Sequence, residues 1–511
     1  MPVFKRKLNF KKVLAVTLNL GLGLLIVACA GKAKKVESTS APAPVPLTGA
    51  SSGAPANSGG AIVSSIVHEH SNKSGYQLPT YEEKTLANGL QMLFIPDNTL
   101  PYVSYSMLIR TGSSQDPAGE SGLASFVAEL LDKGTVKRTA PQIAQQLGQM
   151  GADLGASAAL DFTSISASAL APQAEELLKN FTEIVMQPAF SDTEIERLRK
   201  QTLAEISREV DSPDAFANKA FDAYLFGSHP YGQSPLGNIE SVKAIKKKNI
   251  IQHYLRYFRP NNAILAVVGK YTPELAAEIE KSFGAWSKRD VPAPVFGQVP
   301  PIEGVQIRLV DKPGLVQAQI RMGNLGIKRK SDDYIVLRVA NTILGGAFAS
   351  RLNSRIRRDL GLTYNIGSHF EALQDTGPFE ISTFTKNQTV GQTVGETLKL
   401  LSEFKAKGVT SDEVDSVKGY LKGIFPTAIE TPEKLAFNLM ILRFYQIPDT
   451  YLTNYLREVD RISSSDVNRA IKKYFDDKNL KILVYTSAET VLPQLEPLGK
   501  VEVKKAQELS H

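Results

Sequence analysis

The stretch from Ser121 to Thr135 sets three side chains on a helical face where chemistry could be done. Ser125, Ala128 and Glu129 stand at i, i+3 and i+4, so a hydroxyl, a methyl and a carboxylate share that face. Leu123, Phe126, Val127, Leu130 and Leu131 repeat at i, i+3, i+4, i+7 and i+8 and form the stripe that must be buried. Gly134 falls where such a helix would stop. A catalytic zinc site on a helix needs two neutral imidazoles one turn apart and a carboxylate from elsewhere. It also needs a base for the metal-bound water. Serine and glutamate are poor substitutes for the imidazoles, and alanine accepts no proton. His229 and His253 have no second histidine one turn away and read as structural. His68 and His70 are two residues apart, a spacing that does not share a helix face, so no metal role is expected of them.

The frame Ser121-Gly-Leu-Ala-Ser-Phe-Val-Ala-Glu-Leu-Leu-Asp-Lys-Gly-Thr135 resembles the active-site helix of the pitrilysin, insulysin and mitochondrial processing peptidase family. There it reads GLAHFLEHMLFKGT and holds the inverted zinc motif H-x-x-E-H. Ser125 and Glu129 occupy the places of the two histidines, and Ala128 that of the general base. The resemblance therefore implies a scaffold without its chemistry: no catalytic residue at these degenerate positions, and no cofactor or metal held by this chain. Glu205, in Leu203-Ala204-Glu205-Ile206, falls at the distance of the family's third ligand and is the residual ligand position. It also reads as a solvated helix carboxylate. A hard cation held by Glu129 and Glu205 through oxygens is the least favoured alternative.

Further along, Ile356-Arg357-Arg358-Asp359-Leu360-Gly361-Leu362-Thr363-Tyr364 matches a second segment of that family. In the family an arginine and a tyrosine at this separation bind the substrate backbone near the scissile bond. Arg357 and Tyr364 are thus the substrate-binding candidates. A guanidinium can donate to peptide carbonyls and a phenol to a developing oxyanion. The alternative is a helix-capping Arg357 and a core Tyr364. Gly345-Gly346 is all that stands where the non-catalytic mitochondrial subunit has its long glycine-rich loop, which argues against that subunit's specificity. Arg443-Phe444-Tyr445-Gln446-Ile447-Pro448 also resembles a family segment and is assigned to packing.

The chain's beginning reads as an export signal. Lys5, Arg6, Lys7, Lys11 and Lys12 precede an apolar run, Val13 to Val27, that is short for a membrane span. The run ends Ile26-Val27-Ala28-Cys29, which resembles a bacterial lipobox, and Cys29 is the only cysteine. Cys29 is the expected lipidation site, which leaves no thiol for a disulfide framework or a thiolate metal site. Ala30 after it implies the outer membrane, facing the periplasm. Loss of the signal takes the formal charge from +7 to about +2, and no basic stripe is interleaved with aromatics, so nucleic acid is not an expected partner.

Composition and repeats set the organisation. Residues 1–28 are the signal peptide and 29–76 a disordered tether rich in Ala, Pro, Ser and Gly. Residues 77–287 and 304–498 are two peptidase-like domains joined by a Pro-rich linker, 288–303, and 499–511 is a tail. The two halves repeat a strand, a helix and a hydroxyl-capped second helix: Ser191 with Glu194, then Thr410 with Glu413, each a predicted capping box. Aligning the caps puts Glu205 opposite Ile424. The fold class is α+β, two tandem homologous mixed-sheet α/β-layer domains forming a clam-shell half. The expected function is that of a non-catalytic, substrate-binding subunit. It would supply Arg357 and Tyr364 to a zinc-bearing homologous partner in a heterodimer that cuts peptides, with zinc in the partner alone. A scaffold subunit of an envelope complex and a partner-free peptide-binding lipoprotein are the alternatives.

Overall fold

The computed structural model describes residues 61–68 and 78–509. The signal stretch, Cys29, His70 and most of the expected tether lie outside them. The first sheet holds β1 (Ile62–His68), β2 (Tyr81–Leu86), β3 (Gln91–Pro96), β4 (Tyr102–Ile109), β5 (Asp153–Ala158), β6 (Thr163–Leu170) and β7 (Ala263–Gly269). Their order is β1-β2-β3-β7-β4-β6-β5. Only β3 and β7 run parallel. The second sheet holds β8 (Val305–Asp311), β9 (Gln317–Leu325), β10 (Ile366–Phe370), β11 (Pro378–Lys386), β12 (Leu480–Thr486) and β13 (Lys500–Lys505), in the order β10-β11-β9-β12-β8-β13. The run β5-β6-β4-β7-β3 in one sheet and β10-β11-β9-β12-β8 in the other is the same topology, down to the parallel last pair.

Two stretches read as unstructured are strands. Ile62–His68, inside the expected tether, pairs antiparallel with β2, although Ile62, Val63, Ile66 and Val67 stay exposed. It is held through its backbone, which composition does not register. Lys500–Lys505, inside the expected tail, pairs parallel with β8, with Glu502 bonded to Arg308.

The helices of the first half are α1 (Leu123–Leu130), α2 (Ala140–Met150), α3 (Ala174–Met186), α4 (Asp192–Glu209), α5 (Pro213–Phe226), α6 (Ile239–Ala244), α7 (Lys247–Tyr257) and α8 (Pro273–Gly284). Those of the second are α9 (Tyr334–Asn341), α10 (Val390–Lys407), α11 (Ser411–Ile424), α12 (Pro432–Phe444), α13 (Thr450–Arg461), α14 (Ser464–Tyr474) and α15 (Ala488–Leu495). The caps differ between the halves. Thr410 and Glu413 close a full capping box, whereas Ser191 only accepts from the Glu194 N–H, because the Glu194 carboxylate pairs with Arg197 instead.

One face of the first sheet, with Met92, Phe94, Tyr105, Met107 and Val267, packs on α1, α3, α7 and α8. Its other face, with Leu93, Ile95, Leu108, Ile264 and Ala266, joins the core of the second half, where α12 lies against β3, β4 and β7. The second half returns the arrangement: α5 packs on β9 and β12, and Phe216 meets Tyr485 with ring centroids 4.5 Å apart. Each half thus lends one helix to cover the other's sheet. Strand β7 is buried along its whole length for this reason, and its Ala-Ile-Leu-Ala-Val-Val-Gly sequence has no polar position to spare.

Candidate functional site

Helix α1 is positioned from its N-terminal end. Gly122 takes φ 96° there, a conformation glycine alone adopts without strain. The Asp116 carboxylate accepts from the N–H groups of Gly122 at 2.8 Å and Ala124 at 2.9 Å, satisfying donors that a helix start leaves free. The loop 234–237 lies against this end: Ser121 Oγ donates to the Ser234 carbonyl at 3.0 Å. A Cβ on Gly237 would strike the Ser121 carbonyl, so the approach needs glycine.

The degenerate zinc positions are occupied by the protein's own contacts. Ser125 Oγ donates to the Pro235 carbonyl at 2.6 Å. Ala128 is fully buried and offers no acceptor. Glu129 and Glu205 do face each other across α1 and α4. Partial burial and the charge of Glu205 together raise the Glu129 carboxyl above its ordinary value, with Lys133 and Arg197 opposing the shift in part. Two like charges, a hydroxyl already committed to a carbonyl and a buried methyl do not fit a zinc ion or an activated water. His253 and His229 are buried, as a structural reading requires. Burial pushes the His253 imidazole down to about 3, and His229 Nδ1 accepts from the Tyr231 N–H at 3.1 Å.

The second-half segment is built the opposite way. Its backbone winds as two π-helical stretches, Thr342–Gly346 and Asn353–Asp359. Arg351 clamps it to α11 through Glu413 at 2.8 Å, and Arg355 to α10 through Glu396 at 3.0 Å. Asn353 donates to the Ile366 carbonyl at 2.7 Å, and Thr363 Oγ1 to the Asn365 carbonyl at 2.9 Å. On this fixed backbone Tyr364 is 82 % exposed, which excludes the core role. Arg357 makes no ion pair or helix cap among the described residues; its guanidinium stacks over the Phe348 ring at 4.6 Å, and Phe348 is itself 77 % exposed. Phe348 is the site residue the sequence reading missed, because a single aromatic next to two glycines carries no pattern.

A third constellation joins the halves. Arg443, assigned to packing from sequence, is an ion-pair hub: it donates to Glu83 of the first half and to Asp449 of the second. Tyr81 donates to Asp449 at 2.7 Å, and His68 lies 3.5 Å from Glu83 and 3.9 Å from Asp449. His68, Glu83 and Asp449 are the one group among the described residues spaced to hold a metal. The Arg443 guanidinium already holds both carboxylates, so the cluster is an ion-pair network. Asp161 accepts from Tyr231 of its own half at 2.8 Å and, across the halves, from Tyr445 at 3.2 Å.

Known proteins share this architecture. Residues 92–238 match Insulinase (Peptidase family M16), and residues 244–421 match the Peptidase M16 inactive domain. The crystal structure of a peptidase M16 inactive domain from Pseudomonas fluorescens superposes with a TM-score of 0.74 at 26 % identity, covering 80 % of this chain and 98 % of that one. The zinc protease PqqE of Helicobacter pylori is 26 % identical over 78 % of this chain and 91 % of its own. The non-peptidase homolog YmxG of the same strain is 23 % identical over 80 % and 94 %. The chain belongs to the peptidase M16 family, as a member of the inactive type.

Proposed function

We propose that this chain is the zinc-free, substrate-holding subunit of a two-chain M16 peptidase. It holds extended peptide through Arg357 and Tyr364 while a zinc-bearing homologue supplies the metal and the base. The observation that carries the reading is the exposure of Tyr364, 82 %, on a backbone pinned by Asn353, Thr363 and two arginine clamps. A phenol held in place yet turned to solvent costs apolar hydration and gains nothing for the fold; it suits a group that meets a ligand. Arg357, stacked rather than salt-bridged, keeps its donors for peptide carbonyls. Relatives named a zinc protease and a non-peptidase homolog occur in one Helicobacter pylori strain, which is in keeping with such a pair. Anchoring through a lipid on Cys29, at the periplasmic face of the outer membrane, belongs to the same proposal.

The test is peptide hydrolysis by the full chain reconstituted with a zinc-bearing homologue from the same genome. Arg357→Ala and Tyr364→Phe are expected to lower kcat/KM by about 10² each, the size of losing one oriented hydrogen-bond donor at the reacting centre. Hydrolysis unchanged by both substitutions would refute the proposal. A complex that forms but never hydrolyses peptide would favour the scaffold reading.

A further inference from the structure

Among the described residues three arginines are almost wholly buried: Arg259, Arg321 and Arg329. The protein answers Arg321 and, in part, Arg259. Arg321 donates to Asn218, to Asp214 and to the Ile320 carbonyl, and Arg259 donates through one Nη to the Leu255 carbonyl, while its Nε is buried without a partner among the described residues. Arg329 is 6 % exposed, and its guanidinium donates to no acceptor and pairs with no carboxylate among the described residues. Its charge sits 3.9 Å from the ring centroid of Tyr334 and 5.0 Å from that of Tyr451. Those rings recover part of the cost of removing a cation from water. They do not replace the acceptors that its five N–H groups call for.

The side chain lines a cleft of about 390 Å³ between the start of α9 and the turn after α12. The walls are Ile335, Val336, Ile447 and Pro448 with the two tyrosine rings. Lys330 adds a second positive charge at the rim. Of the two acids that border the cleft, Glu458 is bridged to Arg461, and Asp332 makes no ion pair with Arg329. A cleft of this size, with aliphatic and aromatic walls around a buried guanidinium and a charged rim of Lys330, Asp332 and Glu458, has the make-up of a small-molecule site.

We propose that this cleft binds a monocarboxylate with an apolar body, its carboxylate on Arg329 and its hydrocarbon against Ile335, Val336 and Ile447. The free C-terminus of a peptide ending in an aliphatic residue and a short fatty acid share that chemistry. A bidentate guanidinium–carboxylate pair supplies the charge match, and the aliphatic wall disfavours a hydrated phosphate. The inference is independent of the pairing with a zinc subunit, since it uses neither Arg357 nor Tyr364.

Calorimetric titration of the full chain with acetyl-leucine, acetyl-leucine amide, octanoate and inorganic phosphate tests it. Acetyl-leucine is expected to bind at least about tenfold more tightly than its amide or than phosphate, a difference of about 1.4 kcal/mol. Octanoate binding as tightly as acetyl-leucine assigns the site to apolar carboxylates in general; a clear preference for acetyl-leucine assigns it to peptide ends. Arg329→Gln should abolish the acid's advantage over the amide. Pro448→Glu, on the exposed rim, keeps the fold and sets a competing carboxylate beside Arg329, with the same result. Equal binding of acid and amide, phosphate binding as well as acetyl-leucine, or no heat from any probe at millimolar concentration would overturn the proposal.

Discussion

The start of α1 and the segment from Gly345 to Tyr364 both resemble functional segments of the family, and they are held in opposite ways. In α1 two of the three positions that carry chemistry elsewhere in the family are turned inward or tied down: Ala128 is fully buried, and Ser125 is bonded to the Pro235 carbonyl, while Glu129 stays exposed. In the second segment the backbone is tied down and the side chains are released, with Phe348 and Tyr364 standing in solvent. A catalytic helix that loses its chemistry is free to be absorbed into the core, because its apolar stripe was always the reason it existed. A binding surface has no such refuge: its groups must stay exposed to be useful. Preservation of a helix therefore says little about the chemistry at its polar positions, and exposure of pinned side chains is the feature that separates the two segments.

That contrast is open to measurement. Ala128→Leu should cost about 1–3 kcal/mol in chemical denaturation, since it forces a larger side chain into a filled site, whereas Tyr364→Ala should change stability by no more than about 0.5 kcal/mol. Comparable costs at the two positions would erase the distinction. Ser125→Ala should cost about 1 kcal/mol, by removing a donor from a carbonyl that the loop 234–237 presents to it. A neutral result would mean that the loop does not seal the old ligand position. The smallest effect is expected at Glu129. Its carboxyl is raised in the folded chain, so the unfolded chain ionises first and wild-type stability falls as pH rises through the carboxylate range. Glu129→Gln removes that loss. The melting temperatures of the two chains should coincide in acid and part as pH rises, with the variant the more stable. Because Glu129 is only partly withdrawn from water, solvent screening keeps the gap small, and a gap of opposite sign would remove Glu205 as its neighbour.

The fold and the lost motif were legible because both rest on local spacing. The stripe Leu123, Phe126, Val127, Leu130, Leu131 specifies a helix whatever stands at Ser125, Ala128 and Glu129, and the strand order of each half follows from elements that the sequence spaces alike. Strand β1 escaped because its short Ile-Val-Ser-Ser-Ile-Val run buries nothing and is held by backbone pairing to β2. The Arg443 hub escaped because Glu83, its first-half partner, is remote in sequence and joined to it only by tertiary packing. Arg329 escaped for a simpler reason: what distinguishes it is an acceptor that is missing, and a sequence does not state which of its arginines will be left unanswered.

The exchange of α5 and α12 between the halves bears on how the chain is made. The first sheet does not receive its second cover until Pro432–Phe444 has been synthesised, near the end of the chain. Until then one face of β3, β4 and β7 stays bare, and the nascent product has no finished domain in which to settle. A ribosome stalled in the second half would release a chain with a large apolar face showing, a ready target for proteases.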